Sequence, residues 1–148
     1  MGSKKNPAWS TTEISVDKSL AEIRKMLQTY GADKWSFPED RSGDIQIYFE
    51  LKGVPVNLTL HAKQMHNRLR KMNPRTRKTD SEIMEQAKRI IARQAVNYLK
   101  VTFEVMETGL FSPVEALLAH MTDNNGRRIA DLILEAHPTF NRLLPEGL

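Results

Sequence analysis

The chain has 148 residues, 27% of them charged and 40% hydrophobic, a formal net charge of +4 at pH 7 and no cysteine. That length suits one domain with a real core, its apolar runs are far shorter than a membrane span, and the lack of cysteine excludes a disulfide framework, a thiol nucleophile and a thiolate metal site. The opening Met-Gly-Ser-Lys-Lys-Asn lacks the apolar stretch of a secretory signal, so a cytoplasmic setting is expected.

Residues 1–11 are polar, carry Pro7 and read as a disordered arm bearing Trp9. Thr12–Val16 reads as a short strand. Asp17 and Ser19 then open an amphipathic helix whose Leu20, Ile23, Met26 and Leu27 follow helical spacing, with Gly31 as its C′ residue. Lys34–Phe37, with Trp35, reads as a strand followed by a turn-rich segment. Next come two strictly alternating runs, Ile45, Ile47, Phe49, Leu51 and Val54, Val56, Leu58, Leu60, separated by Lys52-Gly53. Alternation with a two-residue turn predicts a hairpin pairing Leu51 with Val54 and Ile45 with Leu60, all eight apolar side chains sharing one face. Pro55, which has no N–H to give a ladder, falls on the other face and predicts a sheet edge.

A basic segment at 61–79 follows and reads as a loop. Thr79 and Glu82 then form a capping box for a long helix from about Asp80 to Thr108. Its polar stripe is expected at Glu82, Gln86, Arg89, Arg93, Asn97, Lys100, Glu104 and Glu107. Its apolar stripe is expected at Met84, Ala87, Ile91, Ala95, Tyr98, Leu99, Thr102 and Val105. At 1.5 Å per residue such a helix, about 40 Å long, outruns the hairpin, and C-terminal helices are expected to cover the excess. Ser112-Pro113-Val114-Glu115 predicts a short helix to Met121, and Asp123-Asn124-Asn125-Gly126 a turn into a last helix ended by Pro138. The fold class expected is α+β: a small antiparallel sheet of order β-α-β-β-β along the chain, one face covered by the long helix and the C-terminal helices.

The stretch from Ile14 to Ala32, Ile-Ser-Val-Asp-Lys-Ser-Leu-Ala-Glu-Ile-Arg-Lys-Met-Leu-Gln-Thr-Tyr-Gly-Ala, resembles the opening of small uncharacterised phage and prophage proteins. The similarity continues through the Gly-tipped hairpin, the Val-x-Glu-x-Gly end of the long helix (Val105 to Gly109), and Leu118-Ala119-His120-Met121 before an Asn-Gly turn, about Ile14 to Leu134 in all. The resemblance implies a bacteriophage or mobile-element setting and no catalytic residues. This chain departs from the pattern in the denser basicity of its loop.

Charge supplies the functional signal. His61 to Thr79 holds seven basic residues, Lys63, Arg68, Arg70, Lys71, Arg75, Arg77 and Lys78, and no acid, which leaves 15 basic against 18 acidic residues elsewhere. A local excess of this kind suits phosphate contact, since each cation near a phosphate releases a condensed counterion. Lys88, Arg89 and Arg93 would extend it along the long helix, whose N-terminal dipole favours an anion. Tyr48, with Trp35 or Trp9, would offer a stacking surface for unpaired bases.

Other chemistry is thin. Asp44 and Glu50-Leu51-Lys52 resemble a metal-nuclease triplet, but six residues of strand hold the two carboxylates about 20 Å apart, leaving a Mg-dependent nuclease as a remote reading. His61, His66, His120 and His137 lack zinc-ligand spacing and read as isolated surface or loop histidines. Asp123 to Gly126 with Glu135 departs from a calcium loop in its glycine position. The expectation is a non-enzymatic nucleic-acid-binding accessory protein, without cofactor or metal, contacting DNA or RNA independently of sequence. The alternative is a protein-interaction module, a homodimer or an inhibitor of a host protein.

Overall fold

The computed structural model describes residues 6–139. Its elements are α1 (Val16–Thr29), β1 (Asp33–Ser36), β2 (Ile45–Leu51), β3 (Val54–Leu60), α2 (Ala62–Met72), α3 (Asp80–Glu107), α4 (Pro113–Leu117) and α5 (Ile129–Ala136). Short 3-10 turns cover Ala8–Thr11 and Leu118–His120. The α+β class holds, with an antiparallel three-stranded sheet in the order β1-β2-β3.

The hairpin has the register that its alternation dictates, Ile45 opposite Leu60, Phe49 opposite Val56 and Leu51 opposite Val54. Both turn residues have positive φ, Lys52 at 50° and Gly53 at 79°, as a two-residue hairpin turn matching the strand twist requires. β3 is an edge strand, so Pro55 removes no ladder donor from a central position. Ile47, Phe49, Val56 and Leu58 meet Ile23 and Leu27 of α1 and Ala95, Val96, Leu99 and Phe103 of α3 in the main core. Phe103 is clamped between Phe49 and Tyr30, the latter stacked on it at 4.6 Å.

Four expectations are corrected. Thr12–Val16 forms no strand: Ser15 caps α1 by accepting from the Lys18 N–H at 3.1 Å, so Val16 is already helical and Ser19 is buried inside the helix. The described part of the N-terminal arm is ordered: Gln86 Nε2 donates to the backbone carbonyls of Ser10 at 3.0 Å and Thr12 at 3.1 Å, and Ser10 is buried. Residues 1–5 of that arm lie outside the described residues.

The third correction concerns the basic segment, in which Ala62–Met72 is a helix rather than a loop. Ala62, Met65, His66, Leu69 and Met72 recur at helical spacing. Leu69 and Met65 pack with Ile83, Met84, Ala87 and Ile90 of α3, while Ala62 packs with Ile45 and Ile91. The N-terminal half of α3 is therefore covered by α2 and not by the C-terminal helices, of which α4 gives the main core its buried Leu117.

The fourth is the buried face of α3. Ile83, Ile90, Ala92, Val96 and Phe103 join the expected Ala87, Ile91, Ala95, Leu99 and Thr102 inside, whereas Tyr98 is 44% exposed. Neighbours in several elements, α1, α2, β3 and α4, widen the buried arc beyond one stripe.

Candidate nucleic-acid interface

α2 runs about 16 Å at 1.5 Å per residue, and with one face sunk against α3, Lys63, Gln64, Asn67, Arg68 and Lys71 fall on the other side. That outer face holds cations and amides only. Its start is fixed from a distance: no side chain of its N-cap residue His61 caps it, and Asp44 Oδ1, in the turn before β2, accepts from the Lys63 N–H at 3.3 Å. Asp44 Oδ2 also lies 3.4 Å from His61 Nδ1. The Asp44 carboxylate, a metal-ligand candidate by sequence, thus works as an imported helix cap. Glu50, its supposed partner, meets Lys34 at 3.4 Å and accepts from the Tyr48 hydroxyl at 3.1 Å. Among the described residues no group of three His, Asp or Glu side chains is placed to hold a metal ion.

After α2 the chain turns through 73–79, where Arg75, Arg77 and Lys78 are exposed. Lys63, Arg68, Lys71, Arg75, Arg77 and Lys78 form no ion pair among the described residues. Arg70 differs, since it pairs with Asp80 at the start of α3. Arg70 chiefly, and His66 at 3.5 Å to a lesser degree, hold the Asp80 carboxyl below its ordinary pKa.

The expected extension along α3 is not available. Lys88 Nζ lies 2.6 Å from Glu39 Oε1, and that carboxylate raises the Lys88 pKa above its ordinary value. Arg93 binds both oxygens of Glu22 on α1, at 3.2 and 2.5 Å, which lowers the Glu22 pKa. Both cations are mostly buried by these contacts. Arg89 instead donates from Nε and one terminal nitrogen to Gln86 Oε1, at 3.0 and 2.5 Å, and keeps donors to spare. The α3 N-terminus is occupied by its own capping box and Asp80, so its dipole is already answered by acidic groups.

Tyr48 lies on the sheet face away from α1 and α3, and burial together with Glu50 raises its pKa. No hydrogen bond or ring contact among the described residues joins it to the basic segment, and Trp35 packs on the main core. Tyr48 and Trp35 therefore assemble no stacking surface beside the cations, whereas Trp9, 36% exposed, sits on the Ala8–Thr11 turn next to Ser10 of the arm. The histidine reading also changes: His66 is buried on α2, and His120 donates or accepts at 2.9 Å with the Tyr98 hydroxyl, its pKa lowered by burial and by Arg128.

A feature that charge counting missed is an open cleft of about 920 Å³ between the N-terminal arm and the basic turn. Segment 10–13 forms one wall and segment 73–78 much of the other, with Leu69, Met72 and Ile83 as an apolar floor and Arg75, Lys78 and Arg89 at its polar surface. The cleft depends on Gln86, whose amide pins the arm while its carbonyl holds Arg89. The sequence offered the 62, 65, 66, 69, 72 spacing as a signal for α2 and no signal for the arm's docking.

Comparison with protein-family models, curated proteins and solved structures finds no match, so the functional reading rests on this geometry. No helix among the described residues is long and apolar enough to cross a membrane.

Proposed function

We propose that this protein is a non-enzymatic nucleic-acid-binding accessory protein that lays the outer face of α2 and the turn after it along a phosphate backbone. The observation that carries this reading is the six unpaired cations of segment 63–78, set on a helix without a single acid and on the turn that follows. A helix presents such groups with less loss of conformational freedom than a loop, and the amides Gln64 and Asn67 add neutral donors for phosphate or sugar oxygens. The contacts are sequence-independent and strongly salt-dependent. The resemblance to small phage and prophage proteins supports a mobile-element setting.

The test is fluorescence anisotropy with labelled single- and double-stranded DNA and RNA at several salt concentrations. The expected result is affinity that falls linearly with salt on logarithmic axes, with a slope reduced by about 1 for each contacting cation removed. Absence of binding at low salt overturns the reading.

A second reading, protein docking, is favoured by apolar side chains left exposed at the C-terminal end of α3 and beyond it: Val101 is 57% exposed, Leu110 66% and Val114 56%. Exposed large apolar side chains, where they form one patch, mark interaction surfaces. Light scattering after size-exclusion chromatography tests its homodimer form, for which Val101→Asp and Leu110→Asp should yield the monomer.

A further inference from the structure

We infer that the cleft between the N-terminal arm and the basic turn binds one nucleotide unit through a terminal phosphate, the phosphomonoester end of a strand or a free mononucleotide. This deepens the nucleic-acid reading in its strand-end form, while the cleft itself is a separate site from the outer face of α2.

The first argument is charge. Arg75, Lys78 and Arg89 line the cleft, against one carboxylate, Glu13. The balance of +2 complements a phosphomonoester, which carries about −1.5 to −2 at pH 7, better than an internal phosphodiester with its single charge. The second argument is the amphipathic lining. Part-exposed Met72 and exposed Pro74, over the buried Leu69 and Ile83, provide apolar surface beside the cations, the arrangement that accepts a flat base while fixing a phosphate. The third is preorganisation. Gln86 fixes the arm by two hydrogen bonds and orients Arg89 by two more, so the arm wall and one cation are held before any ligand arrives. Arg89, held through Nε and one terminal nitrogen, retains its other terminal amino group for an anion.

The experiment compares 3′-fluorescein-labelled oligothymidylate bearing a 5′-phosphate with the same strand bearing a 5′-hydroxyl, and measures AMP against adenosine by calorimetry, all on the full chain. The 5′-phosphorylated strand is expected to bind about tenfold tighter, the effect of one charge-assisted hydrogen bond. Lys78→Gln with Arg89→Gln should erase that preference. Lys63→Gln with Lys71→Gln should weaken both strands alike and leave the preference intact. If neither strand binds but AMP binds and adenosine does not, the nucleic-acid reading fails and the cleft stands as a mononucleotide site. If both strands bind equally and AMP binds no better than adenosine, the cleft inference is overturned while the backbone reading survives. If neither strands nor AMP bind, both fall. Thermal melting of each variant guards against a loss that is merely unfolding.

Discussion

Two helices do the same architectural work on opposite stretches of α3, and their outer faces differ. α1 buries Ile23 and Leu27 and carries Asp17 and Glu22 interleaved with Lys18, Arg24 and Lys25. α2 buries Ala62, His66 and Leu69 and carries Lys63, Arg68, Arg70 and Lys71 with no acid. Packing needs only the apolar faces, so it accounts equally for both helices and leaves the difference in charge unexplained. On α2 Arg68 and Lys71 stand one turn apart, at an i, i+3 spacing that a balanced face would fill with opposite charges. A face that costs stability where its sister does not is where a function other than folding is to be sought.

Core truncation sharpens the comparison most. Leu27 is fully buried in the main core and Leu69 is 8% exposed in a smaller cluster. Leu27→Ala should cost about 4 kcal/mol and Leu69→Ala about 2–3 kcal/mol, within the range for buried leucines, as read from urea midpoints. Hydrogen exchange should show α2 opening before α1. Equal protection of the two helices would mean that α2 belongs to the main cooperative unit.

Charge neutralisation comes next in size. Replacing Arg68, Lys71, Arg75 and Arg77 by glutamine should weaken nucleic-acid binding roughly 100-fold at moderate salt with little change in melting temperature. The parallel replacement of Lys18, Arg24 and Lys25 on α1 should change affinity less than about threefold. Equal losses from both helices would show that total charge, and not the α2 face, is what nucleic acid senses.

The hairpin and α3 were legible because their signals are local: period-2 alternation around Lys52-Gly53, and a capping box three residues wide at Thr79 and Glu82. α2 was hidden for a physical reason. Its cap is Asp44, nineteen residues upstream, its apolar stripe relies on Met and His, and its charge density looks like a solvated loop. Distance in the chain also hid the fates of Lys88 and Arg93, whose partners Glu39 and Glu22 lie in other elements. Of the residues expected at the site, the cations of 63–78 other than Arg70 remain outward and available. The extension on α3 shrinks to Arg89, which serves the cleft.

The seat of α2 gives a smaller, purely structural prediction. Gly43 has φ of +91°, and a methyl there would lie 3.1 Å from Lys88 Cε, 3.2 Å from Met84 Sδ and 3.6 Å from Ala62 Cβ. Gly43→Ala should therefore cost about 1–2 kcal/mol, the sum of the backbone strain and the crowding of flexible side chains. The same substitution should loosen the α2 start, since Ala62 and the Asp44 cap lie beside it. Exchange of the α2 amides should accelerate while that of α1 stays as it was.

The smallest effect concerns how each helix is tied to α3 by an ion pair. Glu22 on α1 is held below its ordinary pKa by its hydrogen bonds to Arg93, and Asp80 is held below its own by Arg70 of α2. For a carboxylate whose folded pKa is depressed, the stabilisation is present above the ordinary value and is lost as pH falls through it toward the folded value. Glu22→Gln and Asp80→Asn should each flatten the decline of the melting temperature between about pH 5 and pH 3. The two should differ in size and salt dependence, because Arg93 keeps 18% of its side chain exposed and Arg70 keeps 40%. Screening by about 0.5 M NaCl should remove the effect of Asp80→Asn and leave part of that of Glu22→Gln. A larger, salt-resistant effect at Asp80 would mean that Arg70 is committed to the fold, and that only the six remaining cations of the segment are available to phosphate.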